Sequence, residues 1–158
     1  MGAIAAAGLE AWHRVVREMN DASLDEILAE DVVFHSPVVH TPQEGRALTK
    51  LYLMAAFNVL PGSLDSESSA QDTTGQSADE SKKSKGIFRY VREVVGDNDV
   101  VLEFRTEIDG ISINGIDMIH FNDDGKIDDF KVMVRPLKAI QKLHEQMAAM
   151  LENMKKSG

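Results

Sequence analysis

The apolar positions of this chain follow a helical period in its first third and a period of two in its later part. Ile4, Leu9, Trp12, Val16 and Met19 recur at about helical spacing and predict a helix over residues 3–19. Ser23-Leu24-Asp25-Glu26 is a capping-box pattern, which predicts a short second helix running through Ala29. Val32-Val33-Phe34-His35-Ser36 reads as a strand stopped by Pro37. Thr41-Pro42-Gln43-Glu44 places an N-cap residue, a proline and a glutamate in the order of a helix start. The helix proper is expected from about Arg46 to Leu60, ended by Pro61. It is apolar nearly all round, which predicts burial on more than one side.

From Ile87 onward apolar and polar residues alternate. Ile87–Val95, Val100–Ile108, Ile111–Phe121 and Ile127–Arg135 predict four strands. Gly96-Asp97-Asn98-Asp99, Asp109-Gly110 and Asn122-Asp123-Asp124-Gly125 supply the turns between them. A last helix is expected over 136–155, with Leu137, Ile140, Leu143, Met147, Met150, Leu151 and Met154 on one apolar face. Between the two halves, 62–85 is rich in Ser, Asp, Glu, Gln, Thr and Lys, and Leu64 is its only large apolar side chain. Such a segment buries too little surface to offset its ordering entropy, so a disordered polar insertion is expected there. With 158 residues and no internal repeat, the chain reads as one domain of α+β class.

Asp109-Gly110 is a strong signal for a two-residue hairpin turn, and such a turn fixes register. Ile108 then faces Ile111, Thr106 faces Ile113, Phe104 faces Gly115, Leu102 faces Asp117 and Val100 faces Ile119. Opposed residues share a face of the sheet. Asp117 therefore falls on the apolar face, the one the helices should cover. A carboxylate there must be hydrogen-bonded, reached through a cavity, or protonated through a raised pKa. The structural alternatives are a satisfied Asp that ties strand to helix, or a bulge at Gly115 that turns it outward.

Charge and composition narrow the partners. Acidic residues outnumber basic ones 26 to 17, for a net charge of −9. No basic stripe offsets this, so neither nucleic acid nor an anionic membrane surface is an expected partner. There is no cysteine, which excludes disulfides, thiolate catalysis and Cys-zinc sites. No apolar run reaches ~18 residues, and residues 1–8 have no basic flank and are too short for a signal sequence. A cytoplasmic protein is expected.

Other chemistry is poorly supported. His35 and His40 flank Ser36, but strand alternation points His35 away from Ser36 and there is no Gly-x-Ser-x-Gly elbow. Glu10-x-x-His13 has the spacing of a di-iron motif, yet its nearest counterpart, Gln141-x-x-His144, lacks the acidic ligand. Asp97-Asn98-Asp99 lacks the later Gly and Glu of a calcium loop, and no phosphate-cradling glycine loop is present. Neither a metal nor a cofactor is expected.

The order of elements resembles the nuclear transport factor 2-like, SnoaL-like superfamily. Two strings carry the likeness: Ala29-Glu30-Asp31-Val32-Val33-Phe34-His35-Ser36-Pro37, and the stretch from Gly115 to Ile127 that holds Asp117 and Asn122-Asp123-Asp124-Gly125. Val134-Arg135-Pro136-Leu137, running into a Met-rich helix, is similar to many SnoaL-like bacterial proteins. The resemblance covers most of the chain except 62–85. It implies a cone-shaped, cystatin-like fold, with helices over the concave face of a curved antiparallel sheet, and a homodimer joined through the outer sheet face. It also implies a hollow between helices and sheet that takes a small, mainly apolar molecule. Trp12, Phe34, Phe57, Tyr90, Phe104 and Met133 are the candidate lining.

Ketosteroid isomerase shares this fold and uses an Asp base with a Tyr and a protonated Asp as oxyanion hole. By that resemblance Asp117 matches the hydrogen-bonding Asp. Ser36 stands where the base Asp would be, and Trp12 where the Tyr would be. A serine does not take a proton unaided, so classical steroid isomerisation is not expected. Asp117 remains the candidate acid/base for another isomerase-, cyclase- or hydratase-type reaction. A non-catalytic ligand carrier and a protein-interaction module are the alternatives.

Overall fold

A computed structural model of the protein describes residues 2–60 and 87–157. The insertion read at 62–85 lies outside the described residues. The elements in chain order are α1 (Ala3–Glu18), α2 (Asp21–Ile27), β1 (Leu28–His35), β2 (Gln43–Glu44), α3 (Arg46–Val59), β3 (Arg89–Val95), β4 (Asp99–Ile108), β5 (Ile111–Phe121), β6 (Ile127–Arg135) and α4 (Leu137–Ser157).

The strands form one curved, unclosed sheet in the order β2-β1-β6-β5-β4-β3. All neighbouring pairs are antiparallel except β1 and β6, which run parallel. The four-stranded meander follows the alternation in the sequence, whereas the parallel pair joins segments about a hundred residues apart. The β4–β5 hairpin has the register that Asp109-Gly110 predicts, from Ile108 opposite Ile111 to Leu102 opposite Asp117. Both turn residues adopt positive φ, 52° at Asp109 and 81° at Gly110, as this type of turn requires.

The concave face carries the core. Val100, Leu102, Ile119, Phe121, Ile127 and Phe130 from the sheet meet Ala5, Trp12, Val16, Leu24 and Leu53 from the helices. A second cluster, Phe88, Phe104, Ile108 and Ile113, packs against Ala139 and Leu143 of α4. Gly115 makes room for Phe104: a Cβ at that position would lie 2.5 Å from the Phe104 ring and 2.6 Å from the Met133 carbonyl oxygen.

Several local expectations are corrected. Asn20, not Ser23, caps α2, accepting from the Ser23 N–H at 2.8 Å, so the helix starts three residues earlier than the capping-box pattern suggests. Ala29 belongs to β1 rather than to the helix. Gln43 and Glu44 pair with Phe34 and Val33 as a short strand, and Gly45, at φ 102°, leads into α3 in place of the expected Thr-Pro start. Only Thr49, Leu53 and Ala55 of α3 are buried; Tyr52 and Phe57 are half-buried, packing against the core while also bordering a cavity. Leu137 is exposed at the first turn of α4, where no described residue covers it. A bulge after Tyr90 shifts the β3 register, so Glu93 lies opposite inward-facing Leu102 and reaches His13 at 2.7 Å, on the side of the sheet opposite to Arg89.

Candidate functional site

Between the helices and the concave sheet lies a cavity of about 220 Å³. Its floor is Phe104, Asp117, Phe130, Val132 and Val134 from the sheet. Its walls are Trp12 and Met19 of the α1 region, Tyr52, Leu53 and Phe57 of α3, and Leu143, Met147 and Leu151 of α4. The loop 36–39 after β1 and the exposed His144 also border it. Almost the entire lining is hydrocarbon. Among the described residues Asp117 is the one carboxyl group that lines it.

Asp117 is held at the centre of the sheet, opposite Leu102 of β4 and Val132 of β6, and is 7% exposed. The Tyr90 hydroxyl donates to its Oδ2 at 2.6 Å. That same hydroxyl oxygen accepts from the Trp12 indole N–H at 3.0 Å. Three elements far apart in the chain, α1, β3 and β5, thus converge in one hydrogen-bonded file. The direction of each bond follows from donor inventory: an indole N–H can only donate, so the phenol oxygen accepts from it and the phenol O–H donates to the Asp117 carboxylate.

Burial disfavours the charged form of Asp117 and pushes its carboxyl up to about 7, against the lowering effect of the Tyr90 hydrogen bond. Burial, and then the Asp117 charge beside it, hold the Tyr90 phenol well above its ordinary value. Near neutral pH, therefore, the tyrosine keeps its proton while the aspartate populates both states. A carboxyl in that condition can act as either proton donor or proton acceptor.

The expected site residues divide into those that meet and one that does not. Trp12, Phe34, Ser36, Phe57, Tyr90, Phe104 and Asp117 all border the one cavity. Met133 does not. It is 46% exposed on the outer face, opposite Ile116, and its neighbours Val132 and Val134 point inward in its place. Phe130, Val132 and Val134 alternate, and that pattern alone places Met133 outside. The Ser36 hydroxyl accepts from the backbone N–H groups of Val38 at 3.0 Å and Val39 at 3.3 Å, so it shapes the 36–39 loop. Trp12 spends its N–H on Tyr90.

Sequence reasoning missed Tyr52, His144, Met147 and Leu151 as wall residues. The α4 residues lie on or beside the apolar stripe of that helix, but the stripe does not tell a cavity wall from core. Phe34 and Tyr52 stack with ring centroids 5.5 Å apart, and Phe88 stands edge-on to Tyr90 at 5.2 Å. Among the described residues, no group of three or more His, Asp or Glu side chains is arranged to hold a metal ion. None of the described helices is long and apolar enough to cross a membrane.

Solved structures of the same architecture are numerous. A steroid delta-isomerase from Pseudomonas aeruginosa superposes with a TM-score of 0.78 at 32% sequence identity, over 99% of this chain and 97% of that one. An uncharacterised protein with a cystatin-like fold from Silicibacter pomeroyi gives 0.70 at 25% identity, over 90% and 83%. A nuclear transport factor 2-like protein of unknown function from Mesorhizobium loti gives 0.56 at 18% identity, over 84% and 92%, a likeness of fold alone. No protein-family model matches the chain, and no curated protein matches it. With nearly its whole length aligned to the Pseudomonas protein at that identity, and with the cone architecture in place, the chain belongs to the nuclear transport factor 2-like, SnoaL-like superfamily.

Proposed function

We propose that the protein binds a small, mainly apolar molecule in the cone cavity and moves a proton on it through Asp117, without a cofactor. One observation carries this reading: a single carboxyl group lines an otherwise hydrocarbon hollow, and its pKa is pushed up to about 7. Oδ2 is occupied by the Tyr90 hydroxyl, so Oδ1 is the oxygen that faces chemistry. As carboxylate, Oδ1 takes a proton from a carbon next to a carbonyl. As carboxylic acid, it returns that proton to a different atom of the same molecule. Such a shuttle consumes no net acid or base, which suits an isomerisation or a ring closure. The described lining offers no second carboxylate, since Ser36 stands where the family's base would be, so a two-carboxylate mechanism is not supported.

Size limits the ligand. A buried cavity of about 150 Å³ accommodates benzene, so 220 Å³ encloses one or two fused rings. A four-ring skeleton, as the description of the Pseudomonas relative would suggest, must project from the mouth beside the 36–39 loop and His144. The test is proton exchange in deuterium oxide, followed by nuclear magnetic resonance, using two-ring β,γ-unsaturated ketones. Wild type should exchange or isomerise them, and Asp117→Asn should bind them without turnover. Binding without exchange by wild type would leave only the carrier reading. Failure to bind any one-, two- or four-ring ketone would remove the cavity from consideration altogether.

The outer sheet face supports a second element of the proposal, a homodimer. Val91, Val94 and Met133 are 42%, 54% and 46% exposed there, beside half-buried Val101, Ile116 and Met118, and no described helix crosses that face. Sedimentation equilibrium of wild type against Met133→Glu tests it. A monomeric wild type would refute the pairing.

A further inference from the structure

The cone cavity offers few hydrogen-bond donors. Among the described residues, five lining side chains carry an N–H or O–H: Trp12, Ser36, Tyr52, Tyr90 and His144. Two of them are committed. The Trp12 indole donates to Tyr90, and the Tyr90 phenol donates to Asp117. Ser36 is in the opposite condition. Its Oγ accepts from the Val38 N–H at 3.0 Å and from the Val39 N–H at 3.3 Å, which takes up both lone pairs of the hydroxyl. Its own O–H has no acceptor among the described residues. Two incoming hydrogen bonds polarise the hydroxyl and strengthen what it donates. Ser36 is therefore set to give a hydrogen bond into the cavity, not to take a proton from it.

Strand register puts this donor in line with the acid. In the parallel pair of β1 and β6, Phe34 lies beside Phe130 and His35 beside Lys131. One residue further, the same register sets Ser36 beside Val132, and Val132 is the β6 partner of Asp117. Ser36, Val132 and Asp117 all border the cavity, as inward-facing members of one cross-strand row should. The backbones at the two ends of the row are two strand spacings apart, roughly 10 Å. A contact of about 3 Å at each end leaves roughly 4 Å between them. That gap suits a carbonyl group and the carbons conjugated to it. Tyr52 comes from α3 and His144 is exposed on α4, so neither stands in this row.

We infer that Ser36 is a second catalytic residue, whose hydroxyl donates to the carbonyl oxygen of the ligand and holds the negative charge that gathers there when Asp117 removes a proton from a nearby carbon. The C–H electron pair becomes part of a new carbon–carbon double bond, and the carbonyl π pair moves onto oxygen. The Ser36 proton stays on Ser36 throughout. The charge flows back when Asp117 returns its proton to a different carbon. This inference rests on the proton-transfer reading of Asp117. It narrows the ligand to a ketone or enone whose mobile proton lies within conjugation of the carbonyl.

Two probes test it on the full chain: 2-decalone labelled with carbon-13 at its carbonyl, for binding, and the two-ring β,γ-unsaturated ketones, for turnover. By nuclear magnetic resonance the carbonyl signal of bound decalone should lie downfield in wild type and in Ser36→Thr, which keeps the hydroxyl, and upfield of both in Ser36→Ala. Ser36→Ala should lower kcat about a hundredfold with KM little changed, and Ser36→Thr should restore most of it. Where thermal unfolding shows Ser36→Ala to be unfolded, Ser36→Asp repeats the carbonyl measurement, since an ionised Asp still accepts from both N–H groups but has no proton to give. A role confined to shaping the 36–39 loop would raise KM and leave the carbonyl signal and kcat of Ser36→Ala as in wild type, which overturns the assignment and leaves Asp117 untouched. Loss of the downfield signal in Tyr52→Phe but not in Ser36→Ala overturns it too. A wild type that shifts the carbonyl but exchanges no proton sinks the Asp117 reading and the catalytic role together, and leaves Ser36 as a carbonyl-binding residue. A wild type that does not bind decalone overturns the inference outright.

Discussion

Asp117→Asn removes one proton equilibrium while keeping the size of the side chain and an oxygen to accept from Tyr90. In the unfolded chain the carboxyl titrates near 3.8, and in the fold near 7. The native state therefore holds a proton that the unfolded state has released, and wild-type stability falls as pH rises from about 4 to about 7. The shift of roughly three units corresponds to about 4 kcal/mol once both limits are passed. Part of that is already lost at pH 5, so the working range of pH 5 to 8.5 contains roughly 2–3 kcal/mol. The amide side chain of the variant carries no such dependence. Urea denaturation of both proteins across that range should show the variant gaining on wild type by about this amount, with the gap levelling off above pH 7. In thermal scans the same gain is roughly 5–10 °C for a chain of this length. Any pH-independent effect of the amide cancels in the comparison. A gap constant to within about 0.5 kcal/mol from pH 5 to 8.5 would refute the reasoning, because the buried carboxyl would then ionise as it does in water.

Tyr90→Phe takes away the hydrogen bond that lowers the Asp117 pKa and leaves the Trp12 N–H without its acceptor. The carboxyl should titrate higher than in wild type by nuclear magnetic resonance, and stability above pH 7 should fall by about 1–3 kcal/mol. Thr49→Val replaces a fully buried hydroxyl that has no hydrogen-bond partner among the described residues. It should stabilise by about 1 kcal/mol in urea unfolding, and a loss of that size would show that the hydroxyl is satisfied in solution. Gly115→Ala drives a methyl into the Phe104 ring and the Met133 carbonyl, and should cost about 1–3 kcal/mol by the same assay. His120 is raised above its ordinary value mainly by its hydrogen bond to Asp128, so the pair stabilises the fold below pH 6.5 and the benefit fades as pH rises through the folded value. Asp128→Asn should therefore lose up to about 1 kcal/mol at pH 5.5 and nothing at pH 8.5.

How far the sequence can be read depends on how local each determinant is. Asp109-Gly110 sets the β4–β5 register by itself, and that register alone turns Asp117 inward. The Tyr90 hydrogen bond is another matter. It depends on where β3 sits against β4, and on a bulge at Val91 that alternation does not reveal. The same bulge carries Glu93 to the inner side. The β1–β6 pairing has no local signal, since it joins strands separated by most of the chain. Met133 is misplaced when side-chain character is weighed above strand parity. The walls from α3 and α4 look like core because a hollow and a packed interior select the same apolar residues.

The proton-handling file and the cavity mouth are built from different parts of the chain. Asp117 and Tyr90 are anchored on paired strands, while the exposed lining residues His144 and Val39 come from α4 and the short 36–39 loop, which hold no part of the file. On the proposed reading, replacements at His144, Met147 or Val39 would change which molecules are admitted without disturbing the acid beneath. Selectivity would then be open to redesign, or to drift over generations, while the proposed acid/base step is retained.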